Sequence, residues 1–152
     1  MLVRQVYISS RTAKECEETA KELNDLGPGK CIPIVADMQK LSDVDKLVAS
    51  ISSREKALHV LVNNAGAAWG DKIDNYPVRP VFKLSTIVIK PSLWFQDHAW
   101  TKVLTLNLHR VFTLTQKCLP LLRAAATEGG KEGETYLHPA RIINVDGLSS
   151  SL

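Results

Sequence analysis

A parallel α/β sheet with flanking helices is the fold class this sequence predicts, and three observations predict it. Short β-prone runs alternate with stretches whose apolar residues recur at helical spacing. His59-Val60-Leu61-Val62 is apolar almost throughout, as a parallel strand covered on both faces should be. Asn63-Asn64-Ala65-Gly66 follows that run directly, and small and amide residues at the carboxyl edge of such a sheet let a ligand approach the backbone.

The first predicted strand is Gln5-Val6-Tyr7-Ile8-Ser9. Thr12 to Glu15 has capping-box spacing, with Thr12 placed to cap and Glu15 at the third helical position. Cys16, Ala20 and Leu23 continue that helix, and Gly27-Pro28-Gly29 ends it as a turn. Cys31 to Val35 is the second strand, where Pro33 marks an edge position. A helix beginning at Ser42 presents Val44, Leu47, Val48 and Ile51 on one face. After the third strand, His59 to Val62, a long helical segment runs from about Ala99 to Ala126. A polar, Gly-rich loop over Thr127 to Glu134 leads to a fourth strand, Arg141 to Val145. At 152 residues the chain is expected to form one domain with a modest core.

Composition narrows the function classes. Apolar residues make up 45% and charged residues 23%, the balance of a soluble globular domain. The formal charge of +3 has a local source: Val78 to Gln96 holds Arg79, Lys83 and Lys90 and no acid. Outside that run, basic residues equal the 16 acidic ones, so neither a nucleic-acid nor a membrane surface is expected. Val81 to Phe95 is apolar but is broken by Lys83, Lys90 and Pro91, and it falls short of the roughly 20 residues that span a bilayer. Met1 to Tyr7 has no sustained apolar segment, so no signal peptide is expected. Cys16, Cys31 and Cys118 are scattered, without a CxxC pair. That pattern argues against a disulfide framework and a zinc site, and for reduced thiols in a cytoplasmic protein. His98, His109 and His138 are isolated from one another and from any Cys or acid pair, and no metal site is expected.

Leu61-Val62-Asn63-Asn64-Ala65-Gly66 resembles the NNAG motif of the short-chain dehydrogenase/reductase family. Asp37, closing the second strand, matches the family's adenine-contacting Asp, and Asn107 in Leu106-Asn107-Leu108 matches its structural and catalytic Asn. Arg141 to Val145 resembles the strand that leads into the family's catalytic Ser. More narrowly, Ala67-Ala68-Trp69-Gly70, Leu119-Pro120-Leu121-Leu122-Arg123 and Pro139-Ala140-Arg141-Ile142-Ile143-Asn144 are similar to rhamnolipid-type 3-oxoacyl-acyl-carrier-protein reductases.

The resemblance covers most of the chain. It implies a partial Rossmann fold that lacks the first strand and the C-terminal strands, as a single incomplete NAD(P)-binding domain over residues 1–152. It implies an oxidoreductase that moves hydride between a nicotinamide cofactor and a carbonyl or CH–OH carbon, a 3-oxoacyl thioester being the favoured substrate class. Asn107 is then the catalytic residue present, and Ser10, Arg11, Asp37, Asn63, Asn64, Ala65 and Gly66 are the cofactor-binding ones. The cofactor is expected to be NADP, because Arg11 stands just past the first strand, where an Arg pairs with a 2′-phosphate and an acid would accept from a 2′-hydroxyl. Against this stands a solvated cation, which at a helix start opposes the dipole. For Asp37 the competing reading is a strand-end Asp that turns the chain. The helix around residues 99–126 is the family's subunit-packing element, and Trp100, Val103, Leu104, Val111 and Phe112 make it apolar on more than one face, so homo-oligomerisation through it is expected.

The departures from the family pattern point to an inactive fragment. No TGxxxGxG turn stands before Gln5, so the pyrophosphate cradle is not represented. The chain runs from Asn144-Val145 into Asp146-Gly147-Leu148, with Ser149, Ser150 and Ser151 out of register for the catalytic Ser. Tyr7, Tyr76 and Tyr136 each lack a Lys four residues on, so no YxxxK pair is present. In the family's strand order, 3-2-1-4-5-6-7, the strands here would form two pairs flanking a slot, which the β-prone run Leu84 to Ile89 could fill only by accident. Val78 to Gln96 interrupts a path that would join Pro77 to Asp97. Val codons begin with GT and one Gln codon ends in AG, so the run has the boundaries of a retained short intron. A substrate-loop insertion is the alternative. The alternative for the whole chain is a non-catalytic oligomerising partner, or a misfolded by-product of a faulty gene model.

Overall fold

The computed structural model describes residues 5–68 and 97–145. The elements are β1 (Gln5–Ser10), α1 (Ala13–Asp25), β2 (Lys30–Val35), α2 (Leu41–Ser52), β3 (Val60–Asn63), α3 (Asp97–Leu104), a π turn (Thr105–His109), α4 (Arg110–Glu128), β4 (Lys131–Glu132), β5 (Thr135–Tyr136) and β6 (Arg141–Asn144). The α/β alternation read from the sequence is therefore the architecture, with starts displaced by a residue or so.

β1 and β2 pair in parallel, from Gln5 opposite Lys30 to Ser10 opposite Val35. β3 and β6 pair in parallel, from Val60 opposite Arg141 to Asn63 opposite Asn144. These are separate two-stranded sheets, the two pairs the family's strand order implies. Leu84 to Ile89 and the rest of Val78 to Gln96 lie outside the described residues. Pro33 sits opposite Ile8. Among the described strands β2 has β1 as its one neighbour, so its lost N–H can face outward.

Side-chain alternation assigns the faces. Tyr7, Ile34 and Ala36 turn toward α2 and α4, and they join Leu47, Ile51, Leu58, Leu114 and Leu121 in one apolar cluster. Cys31 faces the other side, where the Asn24 side chain of α1 brackets its main chain: Cys31 N–H donates to Asn24 Oδ1 at 2.7 Å, and Asn24 Nδ2 donates to Cys31 O at 3.0 Å. The α2 stripe behaves as its spacing implies, with Val44, Leu47 and Ile51 buried and Val48 half-buried. On α4, Cys118, Leu121, Leu122 and Ala125 are buried. Each large aliphatic chain so buried contributes about 1.5–3 kcal/mol. The Lys117–Asp45 ion pair between α4 and α2, at 2.7 Å, is half-exposed and adds at most about 1 kcal/mol.

Three expectations change. Thr12 holds the N-cap position of α1, but its side chain makes no cap hydrogen bond. The Ser10 hydroxyl bonds the Thr12 main chain instead, donating to Thr12 O at 3.0 Å and accepting from Thr12 N–H at 3.3 Å. The stretch Thr127 to Glu134 is not a plain loop. α4 runs on to Glu128, and Lys131–Glu132 folds back on Thr135–Tyr136 as a tight hairpin. Gly133 at φ +61° supplies the turn conformation that an L side chain resists, and the Lys131 ammonium lies 4.3 Å from the Tyr136 ring centre. Finally, β3 is covered on one face: Leu61 and Asn63 turn toward α4, whereas Val60 and Val62 are 44% and 52% exposed. Apolar sequence marked a strand built for two covers, and the described residues supply one.

Tyr7 donates its hydroxyl proton to Glu55 Oε1 at 2.6 Å. Burial, then the hydrogen bond and charge of Glu55, push its pKa from 10.0 up to about 12, with Arg54 opposing. The fold therefore favours the neutral phenol. That stabilisation should be fully present below pH 10 and lost as pH rises through about 12. Urea unfolding across this range should show a steeper alkaline loss of stability for the parent chain than for Tyr7→Phe. Parallel curves would show that Tyr7 does not carry the effect.

Candidate functional site

The carboxyl ends of β1, β2 and β3 carry the sequence-identified residues. Ala36 N–H donates to Ser10 O at 3.0 Å, which extends the β1–β2 ladder past its last pair and sets Ser10 and Arg11 beside Ala36 and Asp37. Ser10 spends its hydroxyl on the turn into α1. Arg11 is exposed, and no ion pair engages it among the described residues. An open groove of about 270 Å³, lined by Ile8, Ser9, Ser10, Glu15, Cys16 and Thr19, runs beside this corner.

Asp37 is part of a built turn. Its N–H donates to Asp43 Oδ2 at 3.1 Å, its Oδ1 accepts from Gln39 N–H at 3.0 Å, and Lys40 N–H donates to Asp37 O at 2.9 Å. Its Oδ2 lies 3.9 Å from the exposed Lys40 ammonium. So Asp37 does turn the chain, the structural reading of the residue, while its side chain stays 26% exposed at the strand ends.

The Asn63–Gly66 motif divides by burial. Asn63 is 6% exposed, and its Nδ2 donates to Asn144 Oδ1 at 2.8 Å and Thr115 Oγ1 at 3.2 Å. Alternation turns it inward, where it ties β3 to β6 and α4. Asn64, Ala65 and Gly66 form the exposed part of the motif. Directly after them, Asn107 grips the main chain of Ala67: its Oδ1 accepts from Ala67 N–H at 3.1 Å and its Nδ2 donates to Ala67 O at 2.7 Å. A Cβ at Gly66 would stand 2.7 Å from Asn107 Oδ1, so the motif's glycine is what allows the approach. Asn107 sits in the π turn, an irregularity that recurs at functional positions in helices.

Sequence reading missed Arg110, Thr115 and Asn144. Arg110 donates from Nε to Met38 O at 2.8 Å and from Nη2 to Gln39 O at 2.9 Å, holding the Asp37 turn from the start of α4. Its one sequence signal is its place three residues after Asn107, a spacing that puts two side chains on one side of a helix.

The edge thus offers an exposed cation, amides and main-chain groups. It is an arrangement that binds and orients. Away from it, Cys16, Cys31 and Cys118 are free and buried. Burial pushes the Cys31 and Cys118 thiols up, Cys31 further by its neighbour Cys16, which disfavours the reactive thiolate. Among the described residues no group of three His, Cys, Asp or Glu is placed to hold a metal. No described helix is long and apolar enough to cross a membrane.

Comparison with known proteins identifies the family. The short chain dehydrogenase family model matches residues 4–134. A rhamnolipids biosynthesis 3-oxoacyl-[acyl-carrier-protein] reductase of Pseudomonas aeruginosa is 31% identical over 145 residues, covering 95% of this chain and 45% of the reductase. A Mycobacterium tuberculosis hexahydro-indene-carboxyl-CoA reductase is 32% identical over 124 residues, 82% of this chain and 40% of that protein. The chain therefore spans less than half the length of these curated relatives. Among solved structures, the Pseudomonas aeruginosa RhlG/NADP active-site complex superposes with a TM-score of 0.67 at 33% identity, covering 91% of this chain and 43% of that one. A short chain dehydrogenase from Mycobacterium smegmatis gives 0.60 at 28% identity, over 78% and 41%. With the family model matching most of its length, this chain belongs to the short chain dehydrogenase family.

Proposed function

We propose that the lineage of this chain performs NADP-dependent reduction of a 3-oxoacyl or related carbonyl substrate in the cytoplasm, and that the 152-residue chain itself is catalytically silent. The observation that carries the NADP reading is Arg11, exposed and without an ion-pair partner among the described residues at the end of β1, beside the Asp37 turn. A guanidinium there suits a 2′-phosphate. Asp37 would meet the adenine, and Asn64, Ala65 and Gly66 would face the far ribose across the edge. A bound nicotinamide would supply the hydride; the protein's part is orientation and the proton path. Similarity to the 3-oxoacyl reductase of Pseudomonas aeruginosa supports the substrate class, and similarity to the Pseudomonas aeruginosa RhlG/NADP complex supports the cofactor. Silence follows from chemistry: Asn107 is an amide committed to Ala67, and no YxxxK pair within these residues offers a proton donor.

Titration of the purified chain tests this. Adenosine 2′,5′-bisphosphate should bind more tightly than adenosine 5′-diphosphate, and Arg11→Ala should weaken the bisphosphate roughly 10- to 100-fold, the worth of charge-assisted bonds. Equal binding of the two would sink the NADP assignment. NADPH oxidation with a panel of 3-oxoacyl thioesters should stay at background, and measurable turnover would overturn the claim of silence.

One observation favours the second reading, a non-catalytic partner that associates through its long helix. Leu108 and Phe112, four residues apart, are 59% and 66% exposed. An apolar pair on one exposed helix face marks an interaction surface. Sedimentation of the chain should show concentration-dependent self-association that Phe112→Asp abolishes; a monomer at every concentration would refute it.

For Val78 to Gln96 the retained-intron reading is kept, supported by the run's basic, acid-free composition between two polar segments. Spliced cDNA should join the Pro77 codon to the Asp97 codon. Abundant mature transcript that keeps the run would make it a true insertion.

A further inference from the structure

Asn107, in the π turn, and Arg110, the first residue of α4, stand three residues apart. Each closes on main chain, and the two gripped segments belong to different strand pairs. Asn107 holds Ala67, just past the exposed Gly66. Arg110 holds the carbonyls of Met38 and Gln39, inside the turn that Asp37 builds with Gln39 N–H and Lys40 N–H. β1 and β3 share no ladder among the described residues. This short stretch of helix therefore bonds both the Asp37 turn and the segment after Gly66, bridging the two strand pairs at the carboxyl edge.

We infer that Arg110 is a positioning residue that latches the two sides of the cofactor edge together, so that adenine-side and ribose-side contacts form as one unit. The inference rests on the reading of this edge as an NADP site. Arg is suited to such a latch because its planar fork donates at fixed geometry to two carbonyls one residue apart, which a single ammonium on a flexible stem does not. Losing the fork frees the Asp37 turn to shift against Gly66. A ligand confined to the adenine side feels part of that loss, and a dinucleotide that reaches both sides feels all of it.

The experiment uses the 152-residue chain, Arg110→Lys and Arg110→Met, the latter keeping the apolar stem. Amide hydrogen exchange is read at Gln39, Lys40 and Ala67, with α1 amides as the internal control. In either variant the Gln39 and Ala67 amides should exchange about tenfold faster or more while α1 stays protected. NADP affinity should fall about tenfold, and further than that of adenosine 2′,5′-bisphosphate. A general loss of stability would instead speed α1 exchange too and weaken both ligands alike, which overturns the latch. So does a looser Gln39 beside an unchanged Ala67, or an Arg110→Lys variant that matches the parent. If the parent chain binds neither ligand, the NADP reading fails, and the exchange pattern alone decides the latch.

Discussion

Two strand pairs that share no hydrogen bond among the described residues need something else to make them one fold, and here it is the apolar seam between α2 and α4. Leu47 and Ile51 from α2 meet Leu114 and Leu121 from α4, and the seam takes in Tyr7, Ile34 and Ala36 from one strand pair and Leu58 from the entry to the other. The Leu58 N–H donating to Leu121 O at 3.0 Å adds a directional tie at the same place. Burial of this kind is non-directional. It fixes how close the halves come and leaves their relative alignment open. Alignment is set by polar groups with defined geometry, and these cluster at the carboxyl edge: Arg110 on one half, Asn107 and the Asn63–Thr115 bond on the other. The division of labour places these directional bonds under the edge where a ligand would sit.

The same logic separates residues that hold the edge from residues that face outward at it. Asn63, Asn107 and Arg110 each donate to protein partners within 3.2 Å. Arg11, Asn64, Ala65 and Gly66 are exposed. A ligand bound at such an edge would meet few free groups and would depend on their placement, which is how binding energy becomes orientation.

Much of this was legible in the sequence because its signals are local. Val44, Leu47 and Ile51 announced α2 by spacing, and the run from Val60 to Gly66 announced a strand and the loop beyond it. The pairing of strands followed from the family resemblance and not from periodicity. What was illegible depends on partners far apart in the chain. Arg110 reads as a surface cation until Met38 and Gln39 arrive from 72 and 71 residues away. Asn63 reads as ligand-facing until Asn144, 81 residues on, is placed beside it. Thr12 illustrates a different failure: the capping pattern was correct about where the helix starts, but the Ser10 hydroxyl takes the Thr12 N–H, the donor that the Glu15 side chain accepts in a capping box. The hairpin of Lys131 to Tyr136 hid in a Gly-rich tract because Gly133 marks a turn without saying whether strands flank it.

The π turn at Thr105–His109 has an implication for how this lineage can change. A helix advances about 100° per residue, and a π turn absorbs one residue more than an α turn does. Loss of that residue by a one-codon deletion would return the stretch to α geometry, and because the turn already absorbs the extra residue, α3 and α4 would keep nearly their present phase. Asn107, inside the turn, would be re-aimed off Ala67, while Cys118, Leu121, Leu122 and Ala125 stayed in their buried stripe. The same deletion within α4 would instead rotate everything after it by about 100°. The π turn is thus where this helix can change length without changing the phase of its core stripe.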